Sequence, residues 1–145
     1  MKTVVHRARF ETINRDPLII FDGGHNENAI GNLIDTLTQY YPNKDKVFII
    51  SILKTKDYKT IIERLLKQKG TFIFTSGNDE NRYVSKEDLL DEAKKYKLED
   101  IFAYDLEEAI SESLNKYKDQ VICIIGSFYV YGNVKKYLDK LNGKS

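Results

Sequence analysis

The chain has 145 residues, enough for one domain with a core of its own, and 41% of them are apolar, which excludes a disordered tail. Lysine and arginine number 23 against 22 acids, so no global basic field exists and neither nucleic acid nor an anionic membrane is expected as a partner. No apolar run reaches membrane-spanning length, and "MKTVVHRARFE" lacks the apolar centre of a signal peptide. In chain order, "ARFETI" (8–13) and "PLIIF" (17–21) read as two strands joined by a turn at 14–17. Ala29, Ile30, Leu33, Ile34 and Leu37 then recur at helical spacing. "KVFII" (46–50) is a third strand, followed by a helix carrying Tyr58, Ile61, Ile62, Leu65 and Leu66. "GTFIF" (70–74) is a fourth strand. Ser85 with Asp88 forms a capping-box pattern ahead of Leu89, Leu90 and Ala93. A weaker strand, "IFAY" (101–104), leads to a second such pattern, Asp105 with Glu108, before Ala109, Ile110 and Leu114. "QVICII" (120–125) is the last strand, and Val130, Val134, Tyr137, Leu138 and Leu141 mark the last helix.

The strands are continuously apolar rather than alternating, as in a parallel sheet buried on both faces. Strands alternating with helices predict a three-layer, Rossmann-like α/β domain, mostly parallel, with the first or an edge strand antiparallel. One domain is expected over 1–145. Cys123, the single cysteine, sits inside "VICII"; it has no intrachain partner, which goes with a reducing, cytoplasmic setting and an inert core thiol.

Ligands of open parallel sheets bind beyond the carboxyl ends of the strands. The polar clusters fall there: "DGGHN" (22–26), "SILKTKD" (51–57), "TSGND" (75–79) and "GSFYVYGN" (126–133). Gly23 and Gly24 would permit positive φ and close approach of a ligand. Asn26 is placed to cap a helix whose free N–H groups attract an anion. Asp22 is suited to ribose hydroxyls or a cation, and His25 to a carboxylate or a proton. An ordinary tight turn, with Asp22 bonding loop backbone, fits equally. Lys54 and Lys56 precede a helix start with Asp57 as its cap, either meeting an anionic substrate or simply solvated. Ser127 is an N-cap with or without a ligand. Gly132, inside a helix, costs about 1 kcal/mol relative to alanine and points to close packing there or to an approach by another group. His6 lies in the poorly patterned start, and Tyr40, Tyr41, Tyr129 and Tyr131 read as packing residues. No spacing suits a metal site or a nucleophile elbow.

Together, "ARFE" (8–11), "PLIIFDGGHN" (17–26), "SILKTKDY" (51–58) and "ICIIGSFYVYGNVKKYL" (122–138) resemble the C-terminal domain of the folylpolyglutamate synthase family of the Mur ligase superfamily, often bifunctional with dihydrofolate synthase. The family pattern runs roughly "PGRFE", "DGAHN", "KD" and "GSLYLVGEVR" in the same order. The resemblance implies a reaction in which a folate carboxylate is phosphorylated by ATP and the amine of L-glutamate displaces phosphate to form an amide. By the same resemblance, Arg9 contacts ATP, Asp22 meets its ribose, and His25, Lys56 and Ser127 bind or position glutamate, with His25 and Lys56 nearest the chemistry. Folate or dihydropteroate is the implied acceptor, and Mg2+ the implied metal.

Departures from the pattern are Ala8 for glycine, Gly24 for alanine, and Phe128, Tyr131 and Asn133 within the last helix; Lys54 competes with Lys56 for one role. The phosphate-binding G-x-x-x-x-G-K-[ST] of the family's central ATPase domain is absent from this sequence, as are that domain's magnesium ligands. The expectation is therefore of a truncated piece, with Met1 introduced at its start, inactive without the central domain. Two alternatives stay open: another Mur-type ligase, of peptidoglycan or cyanophycin type, and a stand-alone nucleotide- or anion-binding module.

Overall fold

The computed structural model of the chain describes residues 9–24 and 26–143. Among them, six strands form one sheet and five helices cover it. The strands are β1 (Glu11–Arg15), β2 (Leu18–Asp22), β3 (Lys46–Ile50), β4 (Thr71–Phe74), β5 (Ile101–Ala103) and β6 (Val121–Ile125). The helices are α1 (Glu27–Tyr40), α2 (Tyr58–Leu65), α3 (Lys86–Ala93), α4 (Leu106–Lys116) and α5 (Phe128–Leu141). The spatial order is β1-β2-β6-β3-β4-β5. Every pair is parallel except β1 with β2 at one edge. The expected fold class and the antiparallel edge strand are both present.

Why the strand runs are apolar throughout is now visible. Ile20, Phe48, Ile50, Phe72, Phe74, Cys123 and Ile125 face α1, α2 and α3 in one core. Ile19, Phe21, Val47, Ile49, Ile73, Ile122 and Ile124 face α4 and α5 in the other. A period of two on a strand buried on both faces leaves no polar position. The central strand β6 is buried along its whole length. Burial also pushes the Cys123 thiol pKa far up, so it is an inert core group, as read from the sequence.

Two differences from the sequence reading go beyond a one-residue shift at a strand end. The first strand begins at Glu11, not at residue 8, and runs on to Arg15, so the turn is shorter than expected. Phe10 takes φ 46°, which breaks the extended chain before it. Asn14 stays in the strand, beside a register shift, with its side-chain amide donating to Pro17 O at 2.6 Å. An edge strand tolerates such polar residues because one side of it is open.

The second difference concerns Asp105. It stands at the N-cap of α4 but its side chain caps nothing. Its carboxylate instead pairs with Lys86 Nζ at 3.3 Å. The other expected caps form: Asn26 accepts from Ala29 N at 2.8 Å, Asp57 from Thr60 N at 3.3 Å and Ser85 from Asp88 N at 3.1 Å. Among the described residues, no helix is long and apolar enough to cross a membrane.

Candidate functional site at the exit of the central strand

The connections place the site. α1, α2 and α3 follow β2, β3 and β4 on one face of the sheet, while α5 follows β6 on the other. The β6 strand lies between β2 and β3, so chains leaving adjacent strands there turn to opposite faces and open a crevice. The register aligns the exits: Asp22 pairs with Ile125, and Ile125 with Ile50. Gly126 N donates to Asp22 O at 3.2 Å, and Ser51 N to Ile125 O at 3.0 Å. A Cβ on Gly126 would lie 2.8 Å from Ser51 Oγ, so a side chain here would have to push that hydroxyl aside.

On the β2 side, Asp22 is buried. Its Oδ1 accepts from Gly24 N at 2.6 Å and pairs with Arg9 Nε at 3.3 Å, and its Oδ2 accepts from Phe10 N at 3.2 Å. The carboxylate thus ties the loops before β1 and after β2 together and aims a guanidinium whose side chain is 52% exposed. Arg9 and Asp22 are brought into contact. Gly24 does not use the positive φ open to it. It is needed for space instead, because a Cβ there would stand 2.7 Å from Ala29 Cβ and 2.9 Å from Asp22 Oδ1. His25 lies outside the described residues, as does His6.

On the other side, Ser127 caps α5, accepting from Tyr129 N at 3.2 Å, and is buried. Its hydroxyl also hydrogen-bonds the phenol of Tyr83, a fully buried residue of the β4–α3 loop. Burial raises the Tyr83 pKa above its ordinary 10.0, and the Ser127 hydrogen bond offsets only part of that, so the phenol is neutral at physiological pH. The same loop grips α5 twice more. Asn78 Nδ2 donates to Tyr129 O at 2.5 Å, and Arg82 Cζ lies 3.6 Å from the centroid of the Tyr129 ring.

Lys56 stands apart from both groups. With Lys54, Lys59, Tyr83 and Ser85 it lines an open cavity of about 450 Å³ between the β3–α2 and β4–α3 loops. Those loops are pinned to each other through a bridge between Leu53 and Tyr83, Lys54 N to Arg82 O at 2.9 Å and Val84 N to Ile52 O at 2.9 Å. Asp57, on the rim, has its carboxyl held below the ordinary 3.8 by the hydroxyl and then the amide of Thr60. Among the described residues, neither Lys54 nor Lys56 has an ion-pair partner, so either is available to an anion.

Sequence reasoning missed Arg82 and Tyr83. The available signal was a tyrosine two residues before a helix cap in a polar loop. Gly132 is corrected too: it is exposed and a Cβ there would meet nothing within 4 Å, so close packing within the described residues is not its reason.

Residues 8–128 match the model of the family "Mur ligase, glutamate ligase domain". The chain belongs to that family. As a glutamate ligase domain it is 35% identical over 140 residues to the folylpolyglutamate synthase of Lacticaseibacillus casei, which covers 95% of this chain and 30% of that protein. It thus spans under a third of the length of the curated relative. The folylpolyglutamate synthase of Mycobacterium tuberculosis complexed with ADP superposes with a TM-score of 0.82 at 20% identity, over 98% of this chain and 33% of that one. A bifunctional folylpolyglutamate synthase/dihydrofolate synthase with Mn, AMPPNP and L-glutamate bound gives a TM-score of 0.75 at 21% identity, over 92% and 32%. At these identities, the two structures establish that the glutamate ligase domain has their fold.

Proposed function

We propose that this domain is the glutamate-binding side of an ATP-dependent carboxylate–amine ligase that extends folate with L-glutamate. The observation that carries the reading is the pairing of two features at the exit of β6. One is an aimed Arg9–Asp22 pair and the other an α5 start capped by Ser127, in a chain 35% identical to a folylpolyglutamate synthase over 95% of its length. A central ATPase domain of the same polypeptide would close the crevice. A cytoplasmic setting goes with the reading.

In this reading the half-exposed Arg9 guanidinium meets the nucleotide phosphates. Asp22 positions Arg9 through Oδ1. Three donors already engage its carboxylate, which has roughly four acceptor sites, leaving one for a ribose hydroxyl. His25, Lys56 and Ser127 serve the incoming amino acid: lysine ammonium and helix N–H groups for its carboxylates, and His25 beside its amine. The folate carboxylate takes the γ-phosphoryl group, giving an acyl phosphate and ADP. The deprotonated glutamate amine attacks the acyl carbon, the carbon–oxygen bond to phosphate breaks, and the amine's second proton leaves as the amide forms. A divalent metal such as Mg2+ would offset charge on the nucleotide. Among the described residues, no group of three or more His, Cys, Asp or Glu lies together to hold one, so no step is assigned to a metal on this domain.

The test is incorporation of radiolabelled L-glutamate into tetrahydrofolate or dihydropteroate by the complete polypeptide that carries this domain. ATP-dependent incorporation is expected, with His25→Ala lowering glutamate addition at least tenfold while folate binding is kept. Incorporation into a muramoyl peptide and not into folates would move the protein to another Mur-type ligase. ATP binding with no ligation to either acceptor would leave a nucleotide-binding module.

A further inference from the structure

We infer that Tyr83 is a positioning residue for the amino-acid substrate, fixing the Ser127 hydroxyl as a hydrogen-bond donor into the crevice. This rests on the reading of Ser127 as a glutamate-binding group. A serine hydroxyl has two acceptor lone pairs and one proton. One lone pair of Ser127 Oγ is taken by Tyr129 N–H at 3.2 Å. The phenol of Tyr83 is in hydrogen-bond contact with the same oxygen. If Tyr83 donates, both lone pairs are filled and the serine proton is left for a substrate carboxylate. If Ser127 donated to Tyr83 instead, one lone pair would remain for a donor but no proton for a carboxylate. A carboxylate in the crevice, acceptor-only, selects the first arrangement, and the chain of two hydroxyls then strengthens each bond.

The phenol is held for this task on every side. Tyr83 is fully buried. Gly77, at φ +65°, lies so close that a Cβ there would be 2.6 Å from the ring. Tyr83 N donates to Asp79 O at 3.1 Å, and Leu53 bridges to the residue from the neighbouring loop. Its high pKa keeps the proton on the phenol across the physiological range. One residue therefore couples the three loops that leave β3, β4 and β6. The consequence is a geometric link between Lys56 on one loop and Ser127 on another, through the Tyr83 side chain that lies between them.

The experiment compares Tyr83→Phe, Ser127→Ala and the double variant in the complete polypeptide, by steady-state kinetics in glutamate, ATP and folate, with thermal unfolding of each. Phe keeps the ring and its packing. The expected result for Tyr83→Phe is a rise of about tenfold in the KM for glutamate. The values of KM for ATP and folate should stay within twofold and Tm within a few degrees. Ser127→Ala should raise the glutamate KM at least as much, and the double variant should be no worse than Ser127→Ala alone. An unchanged glutamate KM in Tyr83→Phe, with a raised one in Ser127→Ala, overturns the role of Tyr83 and leaves the reading of Ser127 standing. Multiplying effects in the double variant also overturn it, since the two residues would then act separately. An unchanged KM in Ser127→Ala removes the reading of Ser127, and the role of Tyr83 with it.

Discussion

On the β2 flank of the β6 exit the polar groups are ionic: Asp22 is buried, but its partner Arg9 is half exposed and two backbone N–H groups share the carboxylate. On the opposite flank the buried groups are neutral: a phenol and a serine hydroxyl bond each other, beside a Tyr129 ring on which the Arg82 guanidinium rests. The first arrangement leaves charge facing solvent, where salt screens it and a phosphate can compete for it. The second leaves a fixed donor whose geometry depends on packing rather than on charge. One sheet edge thus offers an adjustable cation beside a rigid hydroxyl, a division suited to a mobile polyanion on one side and a small zwitterion on the other.

The comparison can be broken from either flank. The largest effect is expected from Gly77→Ala, which forces a left-handed alanine and drives its Cβ against the Tyr83 ring. About 3 kcal/mol of stability should be lost in urea unfolding. A loss under about 1 kcal/mol would mean that the packing flank is softer than described. Next comes Asp22→Ala, which orphans the N–H groups of Phe10 and Gly24. It should cost about 2 kcal/mol, with Asp22→Asn recovering part of it. Equal losses in the two variants would mean that charge, not acceptor capacity, holds the ionic flank. The smallest effect has the opposite sign: Gly132→Ala, exposed in α5 with open space around it, should gain about 1 kcal/mol and raise Tm. A destabilised variant would show a steric demand at that helix face.

Much of this architecture was readable in advance because β2, β3, β4 and β6 are short apolar runs with both faces buried, and because Asn26, Asp57 and Ser85 cap in the ordinary way. The start of β1 was not, since it is set by a left-handed Phe10 held by a carboxylate 12 residues further on. Nor was the failure of Asp105 to cap, since Lys86, 19 positions earlier, claims its carboxylate. Both are tertiary contacts that no local pattern encodes. Resemblance to a family nominated Arg9, Asp22, His25, Lys56 and Ser127; that Arg9 and Asp22 stand on one flank, Ser127 with Tyr83 on the other and Lys56 apart from both needed three dimensions.

The place of β6 has a consequence for how the molecule assembles. The last strand in the chain lies between the second and the third, which do not pair with each other. Until residues 121–125 are available, the β1–β2 hairpin has no ladder connecting it to β3, β4 and β5. Loop-closure entropy must be met over about a hundred residues before that ladder forms, a topology that folds slowly and late. During synthesis, the earlier strands wait with open edges that invite the wrong partner. Insertion of β6 closes the sheet and, in the same event, sets Gly126 against Asp22 and delivers Ser127 to its place. The meeting of the β2 and β3 exits therefore forms only with β6, although the Arg9–Asp22 pair, local to residues 9–24, needs no later strand.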